Sequence, residues 1–197
     1  MKVLILLATL KKEGLSNTET LSEFFAGHLK NQQIECEIIK LVNQRVLTGS
    51  YIDMGNGDDW PVILEKIKHS EIIVFASPVW WNNHSSEMQK VIERLDHIHD
   101  GILEGKPSPL DGKVAGIIVT GDSDGAQTII GNISNFLNAI GMVLPPYCTL
   151  TVLWEGQEKE TKTTVDELMS KYKEDYTTAA KKMVEQLINY AQLLKLG

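Results

Sequence analysis

Four short apolar runs limit how this chain can fold: "KVLILLAT" from Lys2, "EIIVFAS" from Glu71, "KVAGIIVTG" from Lys113 and "YCTLTVLW" from Tyr147. Continuous runs of this length are the pattern of parallel strands buried on both faces. A more polar run, "IECEIIKL" from Ile34, adds a fifth strand. Between them lie stretches with helical spacing: about Glu19 to Lys30, "DDWPVILEKIKHS" with Pro61 in its first turn, "SSEMQKVIERLD", "AQTIIGNISNFLNAIG" ending at Gly141, and a long terminal helix from about Thr164 to Leu194. Five strands alternating with five helices predict an α/β doubly wound parallel sheet, because parallel neighbours require right-handed crossovers. With 197 residues and no repeat, linker or low-complexity tract, one domain over residues 1–197 is expected.

Composition removes several classes of function. The net charge is −7, and no basic cluster exceeds two in a row, so the chain shows no electrostatic footprint for nucleic acid or an anionic membrane. Cys36 and Cys148 are the only cysteines and neither has a Cys-x-x-Cys partner, which argues against a disulfide framework, a structural zinc site or an iron–sulfur cluster. Both are expected as buried thiols in strands. The opening "MKVLILLATL" has no small-residue cleavage site and falls well short of the roughly 20 residues that span a bilayer. A soluble cytoplasmic protein is expected, with no metal, nucleic-acid or membrane partner.

In doubly wound sheets ligands bind beyond the carboxyl ends of the strands, near the switch in strand order. Three loops then matter: "TLKKEGLSNT", "SPVWWNNHSS" and "TGDSDGA". The first has neither Gly-x-Gly-x-x-Gly nor Gly-Lys-Ser/Thr, so no Rossmann or Walker site is written there. Instead Thr9, Ser16, Asn17 and Thr18 crowd the start of the first helix, where free N–H groups and the helix dipole favour an anion such as a phosphate monoester. An ordinary N-cap by Ser16 or Asn17 is the plainer reading. In the second loop Trp80 and Trp81 follow Ser77-Pro78 at the predicted ligand edge. A planar ring system is their natural companion, although core packing or a subunit contact is a common use of such a pair. Asn82, Asn83 and His84 could reach a polar ring edge or serve as turn residues, with Ser85 the better cap for the next helix. In the third loop Asp122 and Asp124 lack the setting of a phosphatase pair and the further ligands of a calcium loop. A surface turn in which Asp124 caps the helix that follows is the plainer reading for Asp124.

These segments resemble those of a known family. "ATLKKEGLSNTETL" resembles the Gly-Ser-Pro-Arg-Lys-x-Gly-Asn-Thr phosphate loop of flavodoxin-like NAD(P)H-dependent FMN reductases, and "SPVWWNNHSSEMQKVIERLD" resembles their Ser-Pro-Val-Tyr-Trp-Gly-x-x-Ser-x-x-Met-Lys-x-x-Ile-Asp-Arg segment. The resemblance implies a flavodoxin-like three-layer sandwich with strand order 2-1-3-4-5 and a noncovalent FMN. It implies Thr9, Ser16, Asn17 and Thr18 on the phosphate. Lys11, expected with them in the cofactor site, and Lys12 lie near the nicotinamide rim, where they could meet the extra phosphate of NADPH, although two lysines on a loop are more often simply solvated. It implies Pro78, Val79, Trp80, Trp81 and Asn82 along the isoalloxazine, and Thr120, Gly121 and Asp122 near its far edge. At that edge the charge of Asp122 would disfavour an anionic reduced ring. The chain departs from the family at Ala8 for Gly, Leu10 for Pro and Lys11 for Arg, with one additional residue between Gly14 and the Ser-Asn-Thr group. Some relatives place cysteines for iron and sulfur ahead of the Asp-Asp pair, and "LTGSYIDMGNGDDW" has none.

The implied activity is hydride transfer from NADH or NADPH through FMN to a small acceptor: a quinone, flavin, nitro or azo compound, or metal ion. The cofactor carries such chemistry, so no side chain is named as catalytic acid or base. A homodimer is expected, because the two tryptophans would otherwise leave apolar surface at the pocket mouth. Two other classes remain open, a flavodoxin-type electron carrier and an FMN-free interaction module. The long connection from Asn43 to Asp58 and the Pro/Gly loop "DGILEGKPSPLDG" are expected to wall the flavin, which favours the enzyme over the carrier.

Overall fold

The computed structural model describes residues 1–158 and 162–195. Its strands are β1 (Lys2–Leu7), β2 (Glu35–Lys40), β3 (Ile72–Pro78), β4 (Val114–Gly121) and β5 (Thr149–Leu153). They form one parallel sheet in the order β2-β1-β3-β4-β5, the flavodoxin-like arrangement. Helices α1 (Asn17–Asn31), α2 (Trp60–Lys68), α3 (Ser86–Leu103), α4 (Ala126–Ala139), α5 (Val165–Lys171) and α6 (Thr177–Leu193) cover its two faces. No described helix is long and apolar enough to cross a membrane.

The alternation along β1 shows how one strand serves two cores. Leu4, Leu6 and Ala8 pack with Trp60, Ile63, Val91, Leu95 and Ile133 of α2, α3 and α4, whereas Val3, Ile5 and Leu7 pack with Phe25, Met183 and Leu187 of α1 and α6. Both sets are buried, which is why the strand reads as a continuous apolar run.

Several elements differ from the sequence expectation. Helix α3 does not stop near Asp96 but continues through Gly101 to Leu103, because Met88, Val91, Leu95 and Ile98 carry one buried stripe onward to Ile102. The Pro/Gly loop after it therefore leads into the amino end of β4, the edge opposite the strand ends where a ligand would sit, and it does not wall that site. There Ser108 Oγ donates to the Ile140 carbonyl at 2.6 Å, and Lys113 Nζ donates to the carbonyls of Lys68 and Ser70. The terminal helix is two helices joined by a π-helical turn, Tyr172–Tyr176, which turns Tyr172 fully inward. Asp124 does not cap α4: the capping position is Gly125 at φ +88°, where a Cβ would come within 2.8 Å of Val79 Cγ1. At α2 the N-cap residue Asp59 makes no side-chain cap, and Asp58 Oδ1 accepts from Trp60 N instead.

Candidate flavin site at the carboxyl edge of the sheet

Thr9, Ser16, Thr18, Ser77, Ser85, Thr120 and Gln157 are all buried polar residues, and all lie at one edge of the sheet. Buried hydroxyls need partners, and these find one another across the three loops. Ser16 Oγ donates to Thr9 Oγ1 at 2.8 Å and accepts from Glu19 N, so it caps α1 while facing back across the loop. Thr18 Oγ1 lies 2.6 Å from Thr120 Oγ1, joining the first turn of α1 to the end of β4. Ser85 Oγ donates to the Ala8 carbonyl at 2.6 Å and accepts from Met88 N, so the cap of α3 also fixes the exit from β1. Ser85 N in turn donates to Ser77 Oγ. The amino ends of α1, α3 and α4 therefore converge on this edge with their positive dipole ends.

Two lysines hold the first loop through its backbone carbonyls. Lys11 N donates to Thr9 Oγ1, and Lys11 Nζ folds back onto the Leu15 carbonyl at 2.8 Å. Lys40 Nζ reaches the Lys12 carbonyl at 3.0 Å and Glu19 Oε2 at 2.7 Å. The Asn17 side-chain amide donates away from the loop, to the Gln157 carbonyl at 2.8 Å.

The second and third loops pack on each other. Val79 N donates to the Thr120 carbonyl at 2.8 Å, and a Cβ on Gly121 would strike Val79 Cγ2 at 2.9 Å. Trp80 and Asn83 exchange backbone hydrogen bonds of 2.7 and 2.8 Å around a two-residue turn, in which Trp81 has φ +47° and Asn82 φ +63°. Such a turn requires positive φ at both central positions. It leaves Trp80 41% and Trp81 96% exposed, two flat apolar faces at the rim. Asn82 Oδ1 accepts from Thr128 Oγ1 at 3.2 Å, tying the turn to α4. His84 Nε2 lies 2.7 Å from Gln89 Oε1. Asp122 is exposed and accepts from Ser123 Oγ.

Two features were not read from the sequence as interactions, although Arg94 falls on the Arg of the resembled Ile-Asp-Arg segment and Asp58 opens the Asp-Asp pair. Arg94 and Asp58, both with fully buried side chains, pair at 2.7 Å; Arg94 also donates to the carbonyls of Leu47, Tyr51 and Ile52. Asp58 accepts from the backbone N–H groups of Leu47, Met54 and Trp60. Burial alone would raise its pKa, but the guanidinium and these N–H groups outweigh it and hold the carboxyl at about 2. This pair fixes the connection that leaves the carboxyl end of β2. The second feature is Gln157, which joins β4, β5 and α1 from beyond the last strand. The thiols offer no competing chemistry: burial, with Glu37 nearby, pushes Cys36 up to about 11, and burial raises Cys148 as well.

The donor set fits a flavin phosphate. Hydroxyls at a helix amino end suit a phosphate monoester, and exposed indoles beside a glycine-bearing loop suit a flat ring. The strand order and helix layers define a flavodoxin-like protein. Residues 1–153 match the NADPH-dependent FMN reductase family, and the chain belongs to that family. It is 30% identical over 156 residues to 8-demethyl-8-aminoriboflavin-5′-phosphate synthase of Streptomyces davaonensis, covering 74% of this chain and 61% of that protein. It is 28% identical over 151 residues to the divalent metal cation transporter MntH of Mycobacterium bovis, covering 74% of this chain but 22% of that protein. The chain thus spans less than two thirds of the length of either curated relative. Among solved structures, RosB with the bound intermediate 8-demethyl-8-formylriboflavin-5′-phosphate superposes with a TM-score of 0.81 at 24% identity, covering 100% of this chain and 81% of that one. That likeness is one of fold.

Proposed function

We propose that the chain is an FMN-dependent NAD(P)H oxidoreductase, a single FMN-binding domain that holds its flavin noncovalently at the carboxyl edge of the sheet and reduces a small acceptor. The observation that carries this reading is the cluster of buried hydroxyls Thr9, Ser16, Thr18 and Thr120 beside the exposed indoles of Trp80 and Trp81. Thr9, Ser16 and Thr18 offer hydroxyls to the phosphate, and Asn17 contributes from its backbone, since its side chain is engaged elsewhere. Lys11 closes the loop over them through the Leu15 carbonyl. Pro78, Val79, Trp80 and Asn82 line one side of the ring, and Thr120, Gly121 and Asp122 the other. Bound FMN supplies the hydride chemistry. The chain's residues bind it, orient it and exclude water, while Trp81 bounds the place where a nicotinamide ring or an acceptor lies.

Quinones, free flavin, nitro or azo compounds and metal ions are the acceptor classes. The apolar rim of Leu10, Trp80 and Trp81 supports a homodimer, which a solution-scattering mass at micromolar concentration tests. Two unpaired cysteines support a reducing, cytoplasmic setting. The central experiment is titration of purified protein with FMN, followed by anaerobic mixing with NADH or NADPH. Bleaching of the bound flavin supports the enzyme. A protein that takes up no FMN overturns the reading, and bleaching only by dithionite moves it to an electron carrier.

A second reading is favoured by one observation, the 30% identity to a synthase whose named product is a flavin phosphate altered at position 8. In it FMN is a substrate rather than a resident cofactor. Mass analysis of the flavin recovered after turnover separates the two: unchanged mass supports the reductase.

A further inference from the structure

We propose that Gln157 and Tyr172, both beyond residue 153 where the family match ends, are positioning residues of the flavin site, holding the phosphate cradle of α1 at a fixed spacing from the ring-side end of β4. The proposal rests on the reading above that FMN lies at this edge.

Gln157 is only 6% exposed. Its Nε2 donates to the carbonyls of Gly121 at 2.8 Å and Val152 at 2.9 Å, at the carboxyl ends of β4 and β5. Its Oε1 accepts from the Tyr172 hydroxyl at 2.9 Å, and its main-chain carbonyl accepts from Asn17 Nδ2 at 2.8 Å. One side chain and its own carbonyl thus bind the first residue of α1 to the strand ends. Both amide hydrogens and the amide oxygen are used, which fixes the amide in one orientation.

Tyr172 completes the device. It has no exposed surface, and its hydroxyl also approaches the Asn17 carbonyl at 3.4 Å. Its ring sits against Phe24 of α1 at 5.9 Å between centroids. Burial drives the phenol pKa upward, so the group stays a neutral donor at working pH. Tyr172 opens the π-helical turn Tyr172–Tyr176, and single π turns are frequent at functional sites.

The consequence is a second rivet across the same gap. Thr18 and Thr120 join the first turn of α1 to β4 directly, and Asn17, Gln157 and Gly121 join them through an amide, one residue earlier on α1 and one residue later on β4. Of the phosphate-side residues, Ser16, Asn17 and Thr18 stand on the α1 side of this seam, and of the ring-side residues, Thr120 and Gly121 stand on the β4 side. A ligand that spans it, such as FMN, needs the spacing fixed; riboflavin, which lacks the phosphate, does not.

The test compares FMN and riboflavin binding, by flavin fluorescence, to wild type, Tyr172→Phe and Gln157→Met. Unfolding curves accompany each, and Tyr172→Phe, which removes one oxygen, guards against a fold lost in Gln157→Met. The expected result is FMN affinity lowered about tenfold with riboflavin affinity held within about twofold. Equal losses for both flavins, or no loss for either, would overturn the positioning role while leaving the flavin site itself intact. A wild type that binds neither flavin would overturn the site and this proposal together.

Discussion

Thr18 Oγ1 and Thr120 Oγ1 lie 2.6 Å apart although 102 residues separate them in sequence. Each hydroxyl is buried, so removing one strands the other, and a stranded buried hydroxyl costs about 1–3 kcal/mol. Thr18→Val and Thr120→Val should each destabilise the protein by roughly that amount. The double variant, an apolar pair of the same shape, should cost clearly less than the sum, by about 1 kcal/mol. Urea unfolding of the four proteins measures this; additive costs would mean the two hydroxyls do not interact.

Ser16 serves both as the N-cap of α1 and as a candidate phosphate donor, and glycine separates the roles. Glycine at an N-cap costs only a few tenths of a kcal/mol relative to serine, whereas a lost hydrogen bond to a charged group costs about 1.5–3 kcal/mol. Ser16→Gly, which also removes the hydrogen bond to Thr9 Oγ1, should cost about 1 kcal/mol of stability and weaken FMN by about tenfold or more. An unchanged FMN affinity would place the phosphate elsewhere.

What the sequence revealed followed from local chemistry. The strands were legible because burial on both faces leaves an uninterrupted apolar run, and Ser16 and Ser85 were legible as caps because each precedes helical spacing. The glycine of the resembled Tyr-Trp-Gly segment aligns with Asn82, which the structure holds at φ +63°, so a positive-φ turn was written there. The Arg94–Asp58 pair was not legible, since no spacing rule links a residue of α3 to a loop 36 positions earlier. Gln157 was missed for the same reason, and Gly101 misled because a helix tolerates glycine when its buried stripe continues past it.

The Arg94–Asp58 pair makes a pH-dependent prediction. The Asp58 carboxyl titrates at about 2 in the fold against an ordinary value of 3.8. Its contribution is therefore complete above about pH 4 and is lost as pH falls through 2. Asp58→Asn leaves Arg94 buried without its counter-charge and should cost about 3–5 kcal/mol at pH 6. The gap to wild type should narrow steadily between pH 4 and pH 2. Urea midpoints across that range decide it, and a gap that stays constant would show that Asp58 does not titrate there.

Trp81 sets stability against function. A bulky side chain at φ +47° is strained, and strain of this kind costs of order 1–3 kcal/mol. With 96% of its surface exposed, the indole returns little packing to the apo-protein. Glycine is the residue this turn position tolerates best, and the Trp80–Asn83 hydrogen bonds that define the turn run through backbone alone. Trp81→Gly should therefore leave the apo-protein equally stable or raise its stability by about 1 kcal/mol. FMN affinity should fall less than in Ser16→Gly, because the phosphate side of the site is untouched. Anaerobic bleaching by NADH or NADPH should slow by about tenfold or more, since the wall that orients the nicotinamide ring is gone. Stopped-flow absorbance of the bound flavin reads the rate and urea unfolding reads the stability. A destabilised variant that is reduced at the wild-type rate would mean that Trp81 serves the fold and not the approach of the nicotinamide.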